Sequence, residues 1–406
     1  NTTGTQNHAF GYRALYSTTT GNYNTAVGYA SNFSNTTGQQ NTSVGKDTLG
    51  TNTTGSYNAI LGNESMYNNT TGSNNTAVGH TALYSNTTAS NNTAVGYQAG
   101  YSNTTGVNLT AVGYTAGYAS TGNGNSMLGA YAGRLTTSGS SNSFVGQSAG
   151  YNTTTGSSNV ALGTDSLLNN TTASNNTAVG YQAGYNNTTG DATTAIGTKA
   201  LRQNTTGRFN SALGYEALYA NTTGTYNVAI GSATLRLNTT ASENTAVGYQ
   251  ASYNSTSGPS VSLGYQALYY NTTGVYNHAL GHKALLQTTT GSYNVAGGAS
   301  SLRNTTTGNY NTAFGHEALN SNTTTNFNTA TGYQALYNST GGYNTAFGDR
   351  AGYSVTSGTK NTFVGQGSGY SVSTGSKNTI IGNYNGNQNG LDIRTSSNNI
   401  VLSDGD

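Results

Sequence analysis

The side chains in this sequence that could carry out chemistry are few and scattered. Five are histidines: His8, His80, His278, His282 and His316. A metal ion needs ligands that converge within a few ångströms. His278 and His282 flank Gly281 without a third ligand beside them, and the others stand apart, so the pattern predicts no metal site. The acids Asp47, Asp165 and Asp349, like Glu64, Glu216 and Glu317, are spread along the chain, and no two read as a pair for proton transfer. Asp404 and Asp406 offer too few carboxylates for a calcium cage and read as a solvated terminus. Glycine-rich stretches abound, but no Gly-Lys-Ser/Thr follows them and no helix is expected, so they are not phosphate loops. Cysteine is absent, which removes thiolate chemistry, disulfides and zinc–thiolate sites. The expectation is a protein that is not an enzyme and uses no cofactor.

Two sets of residues keep a chemical interest. Asn-x-Thr, the acceptor triplet for N-linked sugar, occurs at Asn35, Asn52, Asn69, Asn86, Asn103, Asn187, Asn204, Asn221, Asn238, Asn271 and Asn322. The hydroxyls of Thr87, Thr104, Thr188, Thr205 and Thr222 offer a second attachment point in the same turns. The competing reading is structural, because Asn-Thr-Thr-Gly is also what a tight turn requires. The tyrosines form the second set. Tyr16, Tyr67, Tyr84, Tyr101, Tyr185, Tyr219 and Tyr337 share one phase, and Tyr23, Tyr57, Tyr226, Tyr276, Tyr293 and Tyr310 another. Such columns either stack on themselves or along a subunit seam, the favoured reading, or present rings to sugars.

The phases exist because the whole chain is periodic. A glycine preceded by small and aliphatic residues recurs from Gly11, Gly28, Gly45 and Gly62 through to Gly382. The interval is 17 residues except for three of 16, which end at Gly129, Gly264 and Gly348, giving about 23 copies. A short fixed period marks a stacked repeat architecture. Polar low complexity often means disorder, but here the apolar residues return to the same places in every copy. Glycine in each copy, with many Thr, Val and Asn, disfavours long helices. The prediction is an all-β parallel β-solenoid, or β-roll, of about 23 coils with 17 residues per coil. It is a continuous array over 1–382, with 383–406 a degenerate last coil and exit strand.

Each copy starts with Asn-Thr-Ala-Val-Gly or a relative, a short strand ended by a residue that turns without steric cost. A second strand is expected over segments such as Tyr215–Tyr219, followed by the Asn-Thr-Thr-Gly turn. Val27, Leu61, Ile196, Leu213 and Phe314 are expected to form the internal column, so that Leu213→Asp would bury a charge. Ala26, Ala94 and Ala212 then lie on the opposite face. Apolar residues on both faces suggest lateral packing against identical chains, as a homotrimer or filament. In at least two short copies the missing residue falls in the turn (Ala119-Ser120-Thr121-Gly122 and Asn338-Ser339-Thr340-Gly341), which spares strand register.

Lys and Arg total 13 against 11 acids, so no basic field exists to neutralise phosphates and nucleic acid is not an expected partner. No run of 18 apolar residues occurs, so no membrane insertion is expected within this chain. The chain opens inside the turn of a preceding copy and reads as a piece of a longer precursor.

The unit Asn-Thr-Ala-[Val/Ile]-Gly-Tyr-x-Ala-Leu-Tyr-x-Asn-Thr-Thr-Gly, over 7–382, resembles the repeats of phage and virus tail-fibre proteins and the heads of YadA-like trimeric autotransporter adhesins. The ending Ile400-Val401-Leu402-Ser403-Asp404-Gly405 is similar to sequence that precedes an intramolecular chaperone domain in fibre-type relatives. The resemblance implies a left-handed parallel β-roll, assembled as a trimer for attachment at a surface. The 17-residue unit is longer than the adhesin head's usual one. The functional expectation is a non-catalytic extracellular fibre or filament, at a cell surface or on a virion, with cell-surface glycans as candidate partners. The alternatives are a carbohydrate-binding or polysaccharide-cleaving tail-spike-like protein and an ice-binding solenoid.

Overall fold

In the computed structural model, which describes residues 2–403, the chain is an all-β parallel solenoid of about 23 coils without a helix among the described residues. Asp404 to Asp406, read above as a solvated terminus, lie outside the described residues. Two compact units, Asn1–Gly207 and Arg208–Asp406, each contain their own stack of coils. The first holds β1 (His8–Phe10) to β12 (Thr194–Ile196); the second holds β13 (Ser211–Leu213) to β23 (Thr379–Ile381) and three further strands.

Within each unit every coil contributes one three-residue strand, paired in parallel with the same residues of the next. β2 (Thr25–Val27) meets β3 (Thr42–Val44) through Thr25↔Thr42, Ala26↔Ser43 and Val27↔Val44. The short copies keep this register: Thr110 pairs with Ser126, Thr245 with Val261 and Thr329 with Thr345. Glycine ends each strand for two reasons that act together. Gly28 has φ +133°, and a Cβ there would lie 2.7 Å from the carbonyl carbon of Gly45 in the next coil. Conformation and clearance both demand glycine.

The expected second strand does not form. Over Tyr215–Tyr219 the chain turns, with Glu216 (φ 52°) and Leu218 (φ 50°) in the left-handed region. Its backbone groups are nonetheless satisfied. Leu218 N donates to Thr234 O of the following coil (3.0 Å), Ala217 N to Gly214 O of its own (3.3 Å), and Tyr215 O accepts from Ala233 N (2.8 Å). A corner thus acquires coil-to-coil hydrogen bonds without strand geometry, which removes the need for a strand.

The strand also faces the other way from the expectation. Ala212 is buried and Leu213 is 45% exposed. Likewise Ala26 and Ala94 are fully buried, while Leu61 and Phe314 stand in solvent. The first and third strand residues point outward and the middle one inward, as alternation requires. The interior is narrow, and leucines of the turn, such as Leu218 and Leu235, already fill it. In most coils the group opposite them is no larger than a methyl; Ile60, opposite Met66, is an exception. In three coils where glycine replaces the turn leucine, at Gly133, Gly150 and Gly369, the middle strand residue is larger: Met127, Phe144 and Phe363. A Cβ on Gly150 would lie 2.6 Å from the ring of Phe144, and one on Gly133 would meet Met127 at 2.5 Å.

Asparagine ladders line the rest of the interior, as expected of stacked identical residues. Asn58 Nδ2 donates to Asn41 Oδ1 and to Gly72 O, both at 3.0 Å. After β23 the chain does not leave the array. A short antiparallel hairpin, β24 (Asn387–Gln388) with β25 (Leu391–Asp392), precedes β26 (Ile400–Leu402), which returns to pair in parallel with β23. Tyr384 and Ile393 are buried beneath this longer coil, and Tyr384 Oη donates to Leu391 O at 2.6 Å. Closing over those two side chains is what turns the expected exit strand back into a rung.

Candidate functional site: the outward face of the sheet

Because alanine takes the interior, the larger aliphatic residue of each strand is presented outward. Leu61, Leu162, Leu213, Phe347 and Ile381 are each 45–51% exposed. Beside them run outward threonines such as Thr76, Thr93 and Thr110. No Lys, Arg, Asp or Glu occurs in any strand from β1 to β23. The face is also packed along its length. At Gly297 the outward position has no side chain, and the Phe314 ring of the next coil covers it, 2.6 Å from where a Cβ would stand. A half-exposed aliphatic side chain of three or four carbons presents roughly 50 Å² of apolar surface. The eleven strands β2–β12 therefore offer roughly 500 Å² from this one column. A standard interface takes about 800 Å² per partner.

Runs of tyrosines within the two columns stack on themselves, while Tyr185 and Tyr219 carry the guanidinium groups of Arg202 and Arg236 over their rings. Tyr67, Tyr84, Tyr101 and Tyr118 form one ladder with centroids 5.8, 5.2 and 5.1 Å apart. Tyr276, Tyr293, Tyr310, Phe327 and Tyr343 form another at 4.9–5.2 Å, with ring planes within 21°. Neighbours occupy the ring faces, so only edges and hydroxyls reach solvent, and sugar stacking on the faces within a ladder is blocked. Burial pushes the Tyr101 phenol up, with Tyr118, Tyr84 and Glu64 adding to the shift. Three histidines join a third aromatic column: His80 stacks on Tyr97, His282 on Tyr265 and His316 on Tyr333. His8 and His278 sit outward on the strand face, apart from these.

The asparagines of the Asn-x-Thr triplets lie inside the wall. Asn35, Asn52, Asn69, Asn86, Asn103, Asn187, Asn204, Asn221, Asn238, Asn271 and Asn322 are all no more than 1% exposed. Each Nδ2 donates to the carbonyl three residues on, at 2.9–3.2 Å. Several also donate down the ladder, as Asn69 does to Asn52 Oδ1 at 2.7 Å. That nitrogen has no path to a transferase in the folded coil, so the structural reading of the turn prevails there. Thr87, Thr188 and Thr222 sit at the rim with their hydroxyls donated to the next coil's carbonyl at 3.0 Å. Thr104 and Thr205 continue the same column, and their carbonyls accept from Thr87 and Thr188. The more open hydroxyls are one residue further on, at Thr88, Thr105, Thr189, Thr206 and Thr223, which the reading of the sequence passed over.

The carboxylates are less scattered than they appear in the sequence. Asp47 and Glu64 are 17 residues apart, hence in the same phase of adjacent coils, and line one cleft of about 260 Å³ with Tyr67 and Tyr84. Lys46 lies 3.5 Å from Asp47. Asp165 shares that phase, two residues after Gly163, but lies several coils away; Asp349, one residue after Gly348, differs in both phase and coil. Glu216 is mostly buried and receives Arg236 Nε at 2.6 Å, while Arg236 Nη1 donates to Tyr253 Oη at 3.1 Å. The hydrogen bond to Glu216 holds the Arg236 guanidinium above its ordinary pKa. Glu317 accepts from Gln334 Nε2 at 2.8 Å, so it too belongs to the wall. Among the described residues, no group of three His, Cys, Asp or Glu is placed to hold a metal ion. No helix among the described residues is long and apolar enough to cross a membrane. No protein-family model and no curated protein matches this chain.

Proposed function

We propose that this chain is a non-catalytic structural protein of an extracellular fibre or filament, used for attachment or surface structure, whose copies join through the outward sheet face. The observation that carries this reading is the face itself: apolar, uncharged, in register from coil to coil and unused within the chain. At roughly 500 Å² the column is as large as the largest apolar patch on an ordinary monomer, and patches of that size are often functional. A stripe repeating at the coil rise of about 4.8 Å is matched in spacing by a second copy of the same stripe. The likeness of the repeat to tail-fibre and YadA-like adhesin units agrees with an assembly of this kind and supplies the attachment role. Light scattering on the chain at micromolar concentration tests it. A trimer or larger species is expected, and the double variant Leu213→Asp, Ile230→Asp is expected to fall to monomers. A stable wild-type monomer refutes the reading.

A second reading, a chain that binds or cleaves polysaccharide, draws on the cleft of Asp47, Glu64, Tyr67 and Tyr84, because paired carboxylates beside aromatic edges suit sugar chemistry. Glu64→Gln should then abolish polysaccharide binding or release of reducing ends. An unchanged signal removes that reading.

A further inference from the structure

We propose that the tyrosine ladders are a site of oxidative modification, at which a one-electron oxidant couples tyrosines of adjacent coils into dityrosine staples. The ladders place each phenol ring about one coil rise from the next. Tyr84 to Tyr101 is 5.2 Å between centroids with planes 4° apart, and Tyr293 to Tyr310 is 4.9 Å, also at 4°. The rims are open: Tyr293 is 45% and Tyr310 51% exposed. Nothing on the surface competes for the oxidant. The chain has no cysteine and no tryptophan, and its two methionines, Met66 and Met127, are fully buried. Thiols, thioethers and indoles are the groups that usually intercept oxidation before phenols do. A peroxidase or other one-electron oxidant working from solvent therefore meets phenols first. The proposal is independent of the assembly reading.

The step balances as follows. Each of two phenols gives one electron and its hydroxyl proton to the oxidant, leaving two phenoxyl radicals. An ortho carbon of one ring bonds to an ortho carbon of the other. The hydrogen on each of those carbons is then lost as a proton while each oxygen regains one, restoring both phenols. The pair has lost two electrons and two protons, and one hydrogen peroxide takes them up as two waters. Rotation about χ1 and χ2 at the open rim brings the ortho carbons together. Within the ladders the nearest ring is in the neighbouring coil, so the ladder product joins residues 16 or 17 apart in sequence; the edge-on contact of Tyr269 with Tyr270 lies outside them.

The test treats the full-length chain with a plant peroxidase and hydrogen peroxide, once folded and once in concentrated urea. Dityrosine fluorescence is followed and cross-linked peptides are mapped by mass spectrometry. In the folded chain the links should join ladder neighbours such as Tyr84–Tyr101 and Tyr293–Tyr310, each lowering the mass by two hydrogens. In urea the pairs should scatter. Tyr84→Phe keeps the stacked ring and the fold but supplies no phenoxyl radical. It should remove the Tyr67–Tyr84 and Tyr84–Tyr101 links and leave Tyr101–Tyr118. The proposal is overturned if folded-chain links run mainly between different columns or different chains. It is equally overturned if ladder-neighbour links are no more frequent than in urea, or if Tyr84→Phe leaves the first two links in place.

Discussion

The inward alanine can be tested by placing the same charge on two consecutive residues. Ala212 is 1% exposed and Leu213 45% exposed, so an aspartate meets opposite environments at the two positions. In Ala212→Asp the carboxylate points into a column of methyl groups beside Ala229 and Leu218, with no cation facing it. An uncompensated buried charge costs about 3–5 kcal/mol, and the added volume about 1 kcal/mol or more. In Leu213→Asp the carboxylate enters water, and the loss is limited to strand preference, at most about 1 kcal/mol. The difference of about 3–6 kcal/mol should be local, because coils contribute to solenoid stability individually. Hydrogen exchange read by mass spectrometry over residues 208–235 is the suitable assay, since opening free energy sets the exchange rate. Exchange in that stretch should accelerate by roughly 10³- to 10⁴-fold in Ala212→Asp. In Leu213→Asp it should rise less than about tenfold. The reverse order, with Leu213→Asp the more damaging, would show that the strand faces the other way and would undo both the core assignment and the proposed interface.

Other outcomes follow from particular contacts. Phe144→Ala alone should cost about 3–5 kcal/mol by leaving a cavity, and Gly150→Leu alone about 1–3 kcal/mol by overpacking. Together they rebuild the alanine–leucine pair of the other coils, and thermal unfolding should place the double variant within about 1 kcal/mol of wild type. Arg236→Leu strands the mostly buried Glu216 carboxylate and should cost about 2–3 kcal/mol by chemical denaturation, whereas Arg236→Lys should lose less; equal losses would deny the ion pair any role. The hydrogen bond from Arg394, aided by the Arg394 backbone N–H, holds the Asp392 carboxyl down to about 2. Its folded pKa lies below the usual Asp value, so the contact supports the hairpin of β24 and β25 above that value and is lost as pH falls through about 2. NMR titration of Asp392 should show that midpoint, moving up toward the ordinary Asp range in Arg394→Ala.

Periodicity alone carried the architecture. Identical residues every 17 positions must stack in register, so the strand ladder, the asparagine ladders, the self-stacked tyrosines and the short copies with intact register were all legible in the sequence. Which way the strand faced was not. A Thr-Ala-Val strand alternates equally well with either set inward, and hydrophobicity favoured burying valine. The tertiary structure decided otherwise because leucines of the turn, Leu218 and its equivalents, already occupy a narrow interior and in most coils leave room only for a methyl group. A trace of this was present in the sequence: glycine stands at the leucine position in the same copies that carry Met127, Phe144 or Phe363 in mid-strand. The left-handed corner at Glu216 and Leu218 was hidden for a different reason. Those residues prefer right-handed conformations when isolated, and only hydrogen bonds to the coils on either side hold them there. The cleft of Asp47 and Glu64 was readable from their spacing of 17, while the sealing of the Asn-x-Thr nitrogens required the closed wall, since only a neighbouring coil turns a surface turn into an interior ladder.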